Sequence, residues 1–147
     1  MGQEKLRYII VKVKEDVPLI FGIDAINTKK HVYVTEGPID SLFLPNAIAV
    51  SGTGFSKLDT IGIPKSQMTV IIDNQPRNKE VCKVYRSMVD KGYNVVIWPQ
   101  FVEDKDVNDM ILSGISMKKL KTMIDTNTFS GLMAQASVYG LILVLMI

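Results

Sequence analysis

The chain has 147 residues, 47% hydrophobic and 22% charged, which suits one ordinary globular domain with a real core. A net charge of +2 is too small to argue for a nucleic-acid partner unless the charges are clustered. One cysteine (Cys82) and one histidine (His31) exclude an intrachain disulfide and a Cys/His zinc site, and favour a reducing compartment.

The N-terminus, MGQEKLRYIIVKVKED, is interrupted by charges throughout, so no signal-peptide hydrophobic region is expected. Arg7 to Lys14 alternates around Ile9, Val11 and Val13 and reads as a half-exposed strand. Asp16 to Lys30 holds Pro18, Gly22 and a polar turn, and reads as an irregular lead-in. Val32 to Thr35 is a strand that delivers Glu36. Ile39 to Leu44 is short and apolar, and reads as a brief helix buried on nearly all faces. Ala47 to Val50 is a second apolar strand, ended by Ser51-Gly52-Thr53-Gly54; a turn is the better reading of that loop than a phosphate cradle. A weaker amphipathic piece spans Phe55 to Ile61.

Met68 to Ile72 forms a third strand running directly into Asp73-Asn74. Val81, Val84, Tyr85, Met88 and Val89 fall at helical spacing between Lys79 and Lys91, with Gly92 placed to stop the helix. Tyr93 to Trp98 is a fourth strand, with Trp98 as a core anchor. An acidic loop (Glu103-Asp104-Lys105-Asp106) leads to helices over Val107–Leu112 and Ser116–Ile124. Continuous apolar strands alternating with helical patterns predict an α/β fold, a mostly parallel sheet flanked by helices.

Acids follow three of these strands: Glu36 and Asp40, then Asp73, then Asp104, Asp106 and Asp109 after a spacer. In a parallel sheet the C-terminal strand ends share one edge, where open α/β sheets bind ligands. Like charges gathered there are costly unless a cation compensates. Hard oxygens without histidine or cysteine suit Mg²⁺ or Mn²⁺, and such a cluster suits phosphoryl or nucleotidyl transfer. The bland alternatives are a helix cap for Glu36 and Asp40 and a solvated loop acid for Asp73. Arg77, Lys79, Lys83 and Arg86 are candidates to meet phosphates of template or nucleotide, or are simply the wet face of a helix.

EGPID, then a strand ending in Asp-Asn, then KDVND, resembles the Toprim domain of primases, type IA and type II topoisomerases and some nucleases. From Phe21 to about Gly131 the chain is similar to the DNA primase subunits of T-even-type bacteriophages. The resemblance implies a Toprim (Rossmann-like) catalytic domain over residues 31–130, after an N-terminal strand and lead-in (1–30) and before an apolar tail (131–147). It implies RNA-primer synthesis on single-stranded DNA from ribonucleoside triphosphates with Mg²⁺ or Mn²⁺, a replicative helicase as partner in the primosome, and the cytoplasm of a phage-infected bacterium. Carried over by position, Glu36 is the general acid or base, Asp40 completes the first motif, and Asp73 is a metal ligand; Glu36, Asp106 and Asp109 are further candidate ligands. Gln75 stands where the family has a second acid, which weakens one metal position. The zinc-binding module and polymerase subdomain of such primases have no counterpart here, so the chain is expected to be insufficient alone. A different Toprim enzyme, or a non-catalytic remnant binding nucleic acid or helicase, stays open.

From Thr126 to Ile147 there is no charge, and VYGLILVLMI closes the chain. A buried terminal helix or strand, an atypical ending and a membrane anchor all stay open. The anchor is disfavoured because polar residues and glycines interrupt a run that would need about 20 apolar residues.

Overall fold

The computed structural model describes residues 20–51 and 54–146, with residues 54 and 139–146 described by their backbone alone. The strand expected over Arg7–Lys14 and the middle of the Ser51–Gly54 loop lie outside the described residues.

The fold is α/β. Among the described residues six strands form one sheet: β1 (Ile20–Phe21), β2 (Val32–Thr35), β3 (Ala47–Val50), β4 (Met68–Ile71), β5 (Asn94–Val96) and β6 (Thr128–Phe129), in the order β1-β3-β2-β4-β5-β6. The inner four are parallel; Val34 registers with Ile48 on one side and Val70 on the other. The two-residue edge strands β1 and β6 run antiparallel.

Alternation along each strand feeds two cores. Val32, Val34, Val70, Ile72 and Val95 point to one face, where they meet helix α2 (Lys79–Asp90), the 3₁₀ turn Gly54–Thr60 through Phe55 and Leu58, and helix α5 (Gly131–Met146) through Ala134 and Val138. Tyr33, Ile71 and Val96 point to the other face, under helices α3 (Val107–Leu112) and α4 (Met117–Thr126) through Val107, Met110, Leu120 and Ile124. The apolar tail is thus a helix docked on the sheet, and no described helix is long and apolar enough to cross a membrane. Trp98 is the expected anchor, its Nε1 donating to the Ile72 carbonyl at 2.8 Å.

Local signals set the helix ends. Asn78 caps α2, accepting from the Glu80 and Val81 amides, and Gly92 (φ 89°) follows its end in a conformation that favours glycine. Asp106 and Ser116 cap α3 and α4. One expectation needs correction. The segment after Glu36 forms only a four-residue helix, α1 (Pro38–Ser41), and it is not buried on most faces: Ile39 is 42% and Leu42 65% exposed. A single turn has one inward side, which Asp40 and Ser41 occupy; the apolar anchoring falls to Leu44 beyond it.

The chain leaves β2 through α1 for β3, returns to the far side of β2 as β4, and leaves β4 through α2 on the opposite face. The adjacent ends of β2 and β4 therefore form a topological switch point, where a crevice opens because the two connections diverge.

Candidate metal centre

The switch point is where the acids meet. Glu36 follows β2 by one residue, and Thr35 steadies the turn by donating from Oγ1 to the Gly37 carbonyl at 3.0 Å. Asp73 follows β4, its carbonyl sharing the Tyr85 hydroxyl with that of Ile72. Glu36, Gly37, Ile39, Asp40, Asp73, Asp106 and Asn108 line one cleft of about 280 Å³. Within it, one carboxylate oxygen each from Asp40, Asp73 and Asp106 lies within 4.8 Å of the other two.

Asp40 is tied as well as gathered. Its Oδ1 accepts from the Asn108 backbone N–H at 2.8 Å, while Asp106 Oδ1 accepts from the Asp109 N–H at 2.8 Å. Two carboxylates thus sit at the start of the same short helix, α3. A Cβ at Gly37 would lie 3.0 Å from Asp40 Oδ2, so the missing side chain leaves that oxygen its place.

The electrostatics are those of crowded, partly buried carboxylates. Burial pushes the Asp73 carboxyl up to about 7, assisted by Glu36, Asp40 and Asp106 and opposed by Lys105. Burial likewise pushes Asp40 up to about 6; the Asn108 amide opposes this, and the charges of Asp106 and Asp109 add to it. Glu36 is raised by burial and held down by Lys105. Among the described residues no lysine or arginine forms an ion pair with these acids; the salt bridges there are Lys83–Glu80 and Lys121–Asp125. Three hard carboxylates at this spacing, without sulfur or imidazole, are a donor set that fits Mg²⁺ or Mn²⁺.

Of the other residues singled out from sequence, Asp109 sits in the first turn of α3, outside the convergent trio and off the cleft wall. Gln75 is half-buried and also off that wall. Arg77, Lys79, Lys83 and Arg86 are exposed on α2 and the turn before it, and none lines the cleft. Sequence reasoning passed over Lys105, a cation whose field reaches Glu36 and Asp73, and Asn74, whose side chain holds the acidic loop. A lysine inside an acidic loop was a visible signal for the first; the second needs the fold.

The chain is similar to a phage DNA primase. It is 35% identical over 132 residues to the DNA primase of Enterobacteria phage T4, a match covering 88% of this chain and 37% of that protein. The likeness to the T4 primase supports a primase-related role. No protein-family model matches the chain.

Proposed function

We propose that the chain is the Toprim catalytic part of a phage-type DNA primase, making RNA primers on single-stranded DNA from ribonucleoside triphosphates. The observation that carries this reading is the convergence of Asp40, Asp73 and Asp106, from three separate stretches, at the switch point of a sheet in a chain similar to the T4 primase. The match spans 37% of the relative; in this reading primer synthesis needs further primase parts beside this chain, and the helicase partner is what the family resemblance implies.

In the proposed reaction a ribonucleotide 3′-hydroxyl attacks the α-phosphate of the incoming triphosphate and displaces pyrophosphate. Asp73 and Asp106 would hold Mg²⁺ or Mn²⁺, which when bound neutralises phosphate charge and activates the hydroxyl. Asp109 adds negative charge beside Asp106. Glu36, whose carboxyl burial raises above its ordinary value, takes the hydroxyl proton. Asp40 aligns the first acidic stretch with α3 through the Asn108 amide. Arg77, Lys79, Lys83 and Arg86 would meet template or nucleotide phosphates from α2. A second reading, a remnant that binds nucleic acid or helicase without catalysis, is favoured by one feature: Gln75 brings no charge where the resemblance calls for an acid.

Mn²⁺ titration followed by electron paramagnetic resonance separates the two. The parent chain is expected to bind Mn²⁺ at or below millimolar concentration, and Asp73→Asn to abolish binding. A parent chain that binds none, or a variant that binds equally, sinks the catalytic reading. Primer synthesis on single-stranded DNA, supplied with the remaining primase portion and helicase, should then stop with the same substitution.

A further inference from the structure

Within the loop Lys105 alone is drawn to the acids at the strand ends, its field reaching Glu36 and Asp73 without forming an ion pair among the described residues. Asp106 is drawn next to Asp40 and Asp73, which repel it, and no salt bridge among the described residues offsets that repulsion. Apolar burial does little for the loop: Phe101 is 79% exposed, Glu103 and Lys105 are exposed, and Val102 is only half-buried.

Asn74 meets this loop with every donor it has. Its backbone N–H donates to the Lys105 carbonyl at 2.5 Å, and its Nδ2 donates to the carbonyls of Val102 at 2.8 Å and Asp104 at 3.1 Å. An amide carries two side-chain N–H donors, and both are spent on backbone just upstream of Asp106. From the far side Ser113 Oγ donates to Asp104 Oδ2 at 2.9 Å. The residue that follows Asp73 therefore fixes the peptide chain that ends in Asp106.

We propose that Asn74 is a positioning residue that clamps the loop 102–105 against the end of β4 and so sets the distance between Asp73 and Asp106. Its side-chain donors are both spent on loop carbonyls. It acts through Asp106, and its consequence for metal binding rests on the metal-dependent reading above. Residues that orient ligands commonly govern affinity by about 10–100-fold.

The test uses the full chain and a matched control. Asn94 makes a comparable pair of bonds at the start of β5, its Nδ2 donating to the Met68 carbonyl at 2.9 Å and the Lys65 carbonyl at 3.3 Å. Asn74→Leu and Asn94→Leu each remove two such bonds while keeping the same number and branching of heavy atoms. Asn74→Leu is expected to weaken Mn²⁺ binding by about 10–100-fold. It should also speed amide hydrogen exchange across residues 102–106 by about tenfold or more relative to the β2 and β4 amides. Asn94→Leu is expected to lower Tm comparably while leaving Mn²⁺ affinity and loop exchange at parent values. Equal effects of the two substitutions on affinity, or unchanged exchange of the loop in Asn74→Leu, overturn the proposal. If the parent binds no Mn²⁺, the metal reading fails, and the exchange measurement alone decides the clamp. Should Asn74→Leu not fold, Asn74→Ser, which leaves the backbone bond to Lys105, takes the same two measurements.

Discussion

The two ends of the parallel strands treat the same residue type in opposite ways. Near the starts of β2 and β4, Asp125 accepts from the Tyr33 hydroxyl at 2.6 Å and from Lys121 Nζ at 2.7 Å, and His31 Nε2 lies 2.6 Å from Thr69 Oγ1. Burial would raise the Asp125 carboxyl, but the bonds from Lys121 and Tyr33 outweigh it and hold it below the usual range. At the other end Asp73 is pushed up to about 7 and Asp40 to about 6, with only Lys105 opposing at Asp73. One end resolves its charge within the chain; the other leaves it to be resolved from outside. That contrast is what separates a structural polar cluster from a candidate site.

The largest expected effect that probes this contrast is the pH dependence. A carboxyl raised in the folded state binds its proton more tightly there than in the unfolded chain. Asp73 and Asp40 thus favour folding fully below about pH 4, and this contribution is lost as pH rises through about 6 to 7. Without metal, the chain should gain Tm as pH falls from 7.5 to 5. With saturating Mn²⁺ the trend should reverse across the same window, because ligands must lose their protons to bind. Scanning calorimetry with and without Mn²⁺ reads both slopes, and parallel slopes would remove the distinction between the two ends.

A smaller effect is expected from Tyr33→Phe, which deletes the hydroxyl bond to Asp125. It should cost about 1 kcal/mol, read as a few degrees of Tm, and leave Mn²⁺ affinity unchanged. The smallest belongs to Lys121→Met. Both side chains of the Lys121–Asp125 pair are over 40% exposed, so Tm should stay where it was. A Mn²⁺ affinity that follows either substitution would show the two ends to be coupled.

Much of this was legible in the sequence, for stated physical reasons. β2 and β3 were bounded correctly because short runs of β-branched and apolar residues between polar turns leave little choice, and α3 because Asp106 is a good cap and Val107, Met110 and Ile111 fall at helical spacing. The exposure of α1 was not, since a short apolar run looks the same whether or not it has room to wrap. Two-residue strands such as β1 and β6 are below any periodicity, and pairing order is not written in local pattern. α5 is uncharged, with only Gln135 and Ser137 strongly polar, so its sequence offered no clear stripe to say which side would dock. At the candidate site the acids could be found one by one. What ties them, Asn74 to its loop and Asp40 to the Asn108 amide, joins residues 28 to 68 positions apart and needed the fold.

The close approach between Gly37 and Asp40 bears on how such chains should be recognised. Asp40 Oδ1 is held by an amide, so its carboxylate has little freedom to swing aside, and any side chain at position 37 would press on Oδ2. A related chain that keeps all three aspartates but carries alanine or larger at this position would possess the right residues with that oxygen pressed aside by a few tenths of an ångström. An acid count is therefore an incomplete diagnostic, and the absent side chain at 37 belongs in the signature as much as the charges do.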